Sequence, residues 1–350
     1  APTPAGPTMQ PASTSVEQTL SAIRTASAPT ETPTPEPTAT ATALPPAYLT
    51  PGNAPSIVQK MQWTSTMPNQ LAWSSNSRRF TVIGSDSTTL FDINMVDVVM
   101  MGFPETGQSI VAASASAEAY AVTSDFYTVF IKSITQENVL QTLVVAGMMG
   151  FSFSPDGKSV AISTSDQWKV LLFDIASGVL TNTLSGFETA APVYSASWGQ
   201  DGKSIVYISR ATAQVGDIAA NTLGPRMDHE DFITAYALSP DGTLFAAGNS
   251  TSTNGNLTPI VRLWDPKTAS IIGDLALGDQ MAYGLSFSPD GRLLAVAAGN
   301  QVTIWDVANR AQIAVLNGHT DSITSVAFSP DGTLIATTSS DNTVRLWGLQ

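Results

Sequence analysis

The chain has no cysteine, which excludes disulfide staples, thiolate nucleophiles and thiolate metal sites. It has two histidines, His229 and His319, so the usual general base and transition-metal ligand are scarce. Cations are few as well. Fifteen Lys and Arg stand against 28 Asp and Glu, a formal charge of −13, and such a chain offers little to a phosphate backbone. Charged residues of both signs make up 12% of the chain, about half the usual share. A surface of Thr, Ser, Ala and Asn repels neighbours weakly and loses little hydration on packing, which suits a protein crowded against copies of itself. The apolar runs are strand-sized, far short of the roughly 20 residues of a membrane-spanning helix. No nucleophile elbow, phosphate loop or metal-ligand spacing is present, so no cofactor and no metal are expected.

What the chain does have is a repeat. Residues 314–350 carry, in order, Gly318-His319, an SPDG turn from Ser329 to Gly332, an Asp341-Asn342-Thr343 turn and Trp347. Three short runs rich in Val, Ile, Thr and Leu separate them, each of strand length. Taking Ser329 as anchor, the equivalent upstream positions are Ser288, Ser239, Gly199, Ser154, Ser114 and Ser74. From the N-terminal end the spacings are 40, 40, 45, 40, 49 and 41 residues. The turn motif is lost at Ser114 and Ser74, where flanking apolar runs hold the register. The long spacing contains Asn249 to Pro259, a polar insertion of loop composition.

This order of motifs resembles the WD40 repeat, whose four-stranded unit takes about 40–45 residues. The Trp-Asp position is recognisable at Phe91-Asp92, Phe173-Asp174, Trp264-Asp265, Trp305-Asp306 and Trp347-Gly348, and is degenerate at Ile131-Lys132 and Gly216-Asp217. The resemblance covers about residues 56–350 and implies an all-β, seven-bladed β-propeller. The final repeat ends at its third strand, while an extra strand, Ser56 to Trp63, precedes the first anchor. An open ring would expose an unpaired edge. Ile57, Val58, Met61 and Trp63 are therefore expected to supply the outer strand of blade seven and close the ring.

Residues 1–55 are a different material, dominated by Thr, Pro and Ala and poor in anything that could build a core. An extended tail is expected, with hydroxyls open to O-glycosylation. One short helix is expected at 15–26: Thr14 and Glu17 fit a capping box, and Val16, Leu20 and Ile23 share one helical face. The chain opens on Ala1, and with the Thr/Pro tail this resembles the secreted bacterial or archaeal type of propeller. An extracellular or cell-surface location with the signal removed is the expectation.

In the resembled family a histidine joins a buried structural network. Carried over, His319 meets Trp347, Asp341 and a strand-two hydroxyl, Thr337 or Ser339. His229 holds the same position, shares the pattern His-x-Asp-x-Ile-Thr, and has Trp264 for a partner, but its hydroxyl position falls near Ala247 to Asn249. Both histidines are thereby assigned to structure, and no catalytic residue is expected. The acidic run Asp228, Glu230, Asp231 is expected to be a solvated loop. The remaining candidates are surface residues: Phe126, Tyr127 and Trp168 on the face carrying the strand-two-to-three loops, and the Val16/Leu20/Ile23 stripe.

Three functions compete. A non-enzymatic extracellular interaction or structural module that polymerises by docking its tail on the next copy is the reading chosen. A surface-tethered scaffold or receptor binding a different protein or glycan on the loop face is the alternative. A hydrolase at the ring's mouth is the third, and it needs convergent carboxylates there.

Overall fold

The computed structural model describes residues 48–94, 100–102, 104–105, 108–125, 127–136, 138–165, 169–185, 195–253 and 256–350. The expected helix at 15–26, with Val16, Leu20 and Ile23, lies outside them. The described chain is all-β, a seven-bladed propeller of seven separate antiparallel sheets. Its one helical element is the 3-10 turn Ala54–Ser56. No described helix is long and apolar enough to cross a membrane.

Each blade is a four-stranded meander, because short runs of β-branched and apolar residues alternate with turn residues too tight for anything but hairpins. Blade seven has the order Ile57–Thr64, Thr343–Leu349, Leu334–Ser339, Ile323–Phe328. Ile57 faces Leu349, Val58 faces Gly348, Met61 faces Leu346 and Trp63 faces Val344. The strand ahead of blade one thus completes the last sheet.

The segment before that strand is also packed. Leu49 is 2% exposed and Ala54 is fully buried, both in the cluster between blades six and seven. Leu49 N–H donates to the Gly332 carbonyl. A boundary at residue 56 therefore cuts through docked chain, and the packed part of the ring begins at least as early as Leu49. Proline-flanked composition hid this, because single apolar anchors leave no periodic signal.

The apolar core is divided into seven clusters, each drawn from two adjacent blades. One sheet cannot bury both of its faces alone, so stability lies in the seams.

The SPDG turns share one construction. Ser Oγ donates to Asp Oδ1 at 2.6 Å in Ser154–Asp156, Ser239–Asp241, Ser288–Asp290 and Ser329–Asp331. The following glycines, Gly157, Gly242, Gly291 and Gly332, sit at φ near +70°, where a Cβ is strained. Blade one keeps this shape without the motif: Ser74 Oγ meets Asn76 at 2.7 Å and Ser77 takes φ 58° in the glycine's place.

One sequence expectation needs correction. The insertion Asn249 to Pro259 is a long hairpin, with Phe245–Thr253 paired to Asn256–Asp265 from Phe245↔Trp264 out to Thr253↔Asn256. Its Thr, Ser and Leu residues tolerate the extended backbone, so polar composition did not make it irregular. In blade four the outer strand is broken into Thr222–Leu223 and Met227–Asp228, both on Thr212–Asp217. Gly224-Pro225 falls at the break, and proline has no N–H for the ladder.

Candidate interaction surface

The His319 network is complete. His319 Nδ1 lies 2.9 Å from Asp341 Oδ2, and Nε2 lies 2.8 Å from Thr337 Oγ1. Trp347 Nε1–H donates to the same hydroxyl at 2.9 Å. Donor bookkeeping fixes the protons. A carboxylate only accepts, so Nδ1 carries hydrogen and the neutral ring's Nε2 accepts. Thr337 receives from Trp347 and donates to His319. Every member is satisfied with a neutral imidazole, the condition under which a buried network stabilises. Ser339 is not the hydroxyl partner; its Oγ donates to the Asp321 carbonyl. Burial holds the His319 ring below its ordinary value against the opposing pull of Asp341. Asp341 falls to about 2: desolvation would raise it, but donations from Thr343, Thr320 and His319 outweigh that.

Blade five does not reproduce this network. His229 and Trp264 pack edge to face with centroids 5.0 Å apart, yet no described group bonds to either imidazole nitrogen or to Trp264 Nε1. Strand register gives the reason. Thr337 pairs with Arg345 in blade seven, and Ala247 pairs with Arg262 at the same place in blade five. The bridging hydroxyl is missing. Asn249 is a further buried polar side chain with no partner among the described residues. The acidic run beside His229 is paired rather than free: Asp228 meets Arg226 at 2.7 Å and Glu230 meets Arg262 at 3.5 Å. No cluster of metal-ligating side chains occurs among the described residues.

Burial, then the Arg262 guanidinium, pushes His229 down to about 4. An unfolded histidine binds its proton below about 6.5. The neutral folded ring therefore contributes fully above that pH, and the contribution is lost as pH falls from 6.5 towards 4. The loss amounts to about 3 kcal/mol at most. Urea midpoints are expected to fall across this window and to fall less in His229→Gln. Equal declines in both proteins would rule the assignment out.

The concave surface lies along the axis. The innermost strands line a channel of about 520 Å³, which includes Gln70, Val111, Phe151, Ser195, Tyr236 and Tyr283. At the end carrying the strand-one-to-two turns it meets a wider cavity of about 830 Å³. Pro155, Pro240, Pro289 and Pro330 line this mouth, with Trp73 and Trp198 between them. Trp73 is held by an Nε1–H bond to the Ala327 carbonyl at 3.2 Å and by Phe80, 5.0 Å away. The charged residues of the lining are Asp156 and Asp201; no Lys, Arg or His is among them.

The sequence pointed to the opposite face. Tyr127 is 58% exposed there, while Phe126 and Trp168 lie outside the described residues. The mouth residues were missed because each proline reads locally as a turn former. Only their recurrence at four anchors signals that they gather around one opening.

The described chain is thus a seven-bladed propeller closed between distant strands, with a complete His–Thr–Trp–Asp network in blade seven. Residues 278–306 and 310–348 match the family model "WD domain, G-beta repeat". The chain is 35% identical over 121 residues to transcription factor unc-37 of Caenorhabditis elegans, covering 34% of this chain and 19% of that protein. It is 29% identical over 127 residues to transducin-like enhancer protein 2 of Mus musculus, covering 35% and 16%. It is 28% identical over 199 residues to the CCR4-associated factor 4 homolog of Candida glabrata, covering 53% and 32%. These matches support the WD40-repeat family. All three relatives are eukaryotic, and the chain spans a third or less of each.

Proposed function

We propose that this protein is a non-enzymatic interaction module that binds other proteins and copies of itself outside the cell. The observation that carries the reading is the mouth: a cavity of about 830 Å³ lined by prolines, indoles and carboxylates, while both histidines are packed inside blades five and seven. A relative that is by name an associated factor points the same way. The hydrolase reading gains two carboxylates in Asp156 and Asp201, of which Asp156 is unsuited to be a general acid. Donation from Ser154 holds Asp156 below the usual carboxylate range, whereas an acid must stay protonated near neutrality.

Self-assembly rests on the Thr/Pro-rich tail with its Val16/Leu20/Ile23 stripe and on the low charge content. A tail seated on the next copy makes a heterologous contact, which propagates into rings or filaments. Deleting residues 1–45 is expected to leave a folded ring that sediments as a monomer where the full chain forms larger species. Identical sedimentation of the two would sink the polymer. The receptor reading is favoured by one observation, the exposed Tyr127, and predicts that Tyr127→Ala abolishes capture of a partner.

A further inference from the structure

We infer that the mouth on the SPDG-turn face is a docking site for an extended peptide segment bearing Lys or Arg, supplied by another protein. The inference rests on the reading of the ring as an interaction module and names the partner chemistry of one surface.

The cavity's size, about 830 Å³, accommodates several residues of extended chain. Its charge is one-sided, although Ser75, Ser159, Gln200 and Trp198 also stand in the lining. Prolines 155, 240, 289 and 330 have no N–H to offer. The hydroxyls of Ser154 and Ser329 are spent on Asp156 and Asp331. Asp156 and Asp201 only accept. Both charged groups in the lining are thus negatively charged hydrogen-bond acceptors, and cationic donors on a ligand complement them. Indole faces and proline rings complement the aliphatic stems of Lys and Arg, and indoles attract their charged ends.

The site is also built before anything binds. Asp156 Oδ1 takes the Ser154 hydroxyl at 2.6 Å and the Lys158 N–H at 3.1 Å, so the turn's bonds leave Oδ2 unused. Asp201 is fixed by the N–H groups of Lys203 and Ser204, both at 2.9 Å, and by the Ser204 hydroxyl at 2.7 Å. Preorganised acceptors spare the ordering cost that weakens most peptide complexes. The protein's own tail is a poor occupant, since residues 1–47 hold three glutamates and one arginine. Lys158, Lys203 and Arg292 follow the turns but are not part of the lining, and Arg292 lies 3.9 Å from Asp290.

The probe is a fluorescein-labelled decapeptide of alternating Pro and Arg, titrated into the full chain, with alternating Pro and Glu as the comparison. Binding of the Arg peptide is expected, with no measurable binding of the Glu peptide. Asp156→Asn/Asp201→Asn should weaken it about 10-fold, the range for two partly screened charge pairs. Asp86→Asn/Asp279→Asn removes the same charge at the other end of the blades and should leave binding unchanged. Trp198→Phe should reduce the peptide-induced change in tryptophan emission. Equal weakening by the two double variants would mean bulk attraction to an acidic protein and would overturn the site, as would absence of binding. Neither result would bear on sedimentation with and without the tail, so the interaction-module reading would stand or fall separately.

Discussion

Replacing Trp63 by alanine is expected to lower the unfolding free energy by about 3–5 kcal/mol, the cost of deleting a large buried aromatic. Trp63 belongs to the N-terminal strand, faces Val344 across the closing sheet, and is buried. Its ring lies 5.3 Å from Phe91 and 5.8 Å from Phe80, both in blade one. One side chain therefore holds two seams: the closing pair within blade seven, and the contact between blades seven and one. Val58→Ala, on the same strand but with the side chain outside the core, is expected to cost less than about 1 kcal/mol. Guanidinium denaturation of both variants provides the test. Equal small losses would show that closure contributes little and that the other seams carry the ring.

The second large effect is expected at Thr337. Thr337→Val keeps the shape and removes the hydroxyl that joins His319 to Trp347. Two buried polar atoms then lose their only partner, at about 1–3 kcal/mol each, for a total of roughly 2–4 kcal/mol after relaxation. The mirror experiment is in blade five. Ala247→Thr supplies the hydroxyl that His229 and Trp264 lack and is expected to stabilise by about 1 kcal/mol. Ala247→Ser places a hydroxyl with less bulk. Destabilisation by both would show that blade five has closed over the space its neighbours leave. The pair of experiments asks whether one bond pattern has the same worth in two blades of one ring.

Much of the architecture was legible because it is periodic. Ser329, Ser288, Ser239 and Ser154 announce their turns, and one spacing carries the eye to Ser114 and Ser74 where the motif fails. Closure by Ile57 to Trp63 followed from counting strands against an edge that could not be left open. The blade-five hairpin was misjudged on polarity, although Asn254-Gly255 between two extended runs is a strong two-residue hairpin signal. The difference between His319 and His229 was partly legible, since the blade-five hydroxyl position falls near Ala247 to Asn249, and register fixes it at Ala247. The hydroxyl that matters is on another strand, present at Thr337 in blade seven and replaced by the methyl of Ala247 in blade five. The mouth was least visible, since Trp73 and Trp198 sit in different blades and only the curvature of the ring brings them to one opening.

The closing sheet also sets an order of events during synthesis. Ile57–Thr64 leaves the ribosome before the other described strands of the ring, and the strand it pairs with, Thr343–Leu349, leaves after them. Through the whole of translation between them, that first strand and its tryptophan wait without a ladder. The nascent chain can complete blades one to six in turn, each leaning on the one before, while the seam beside blade one stays wet. Closing the ring thus comes after the other blades are made, and until then the early strand is an unpaired edge open to other chains.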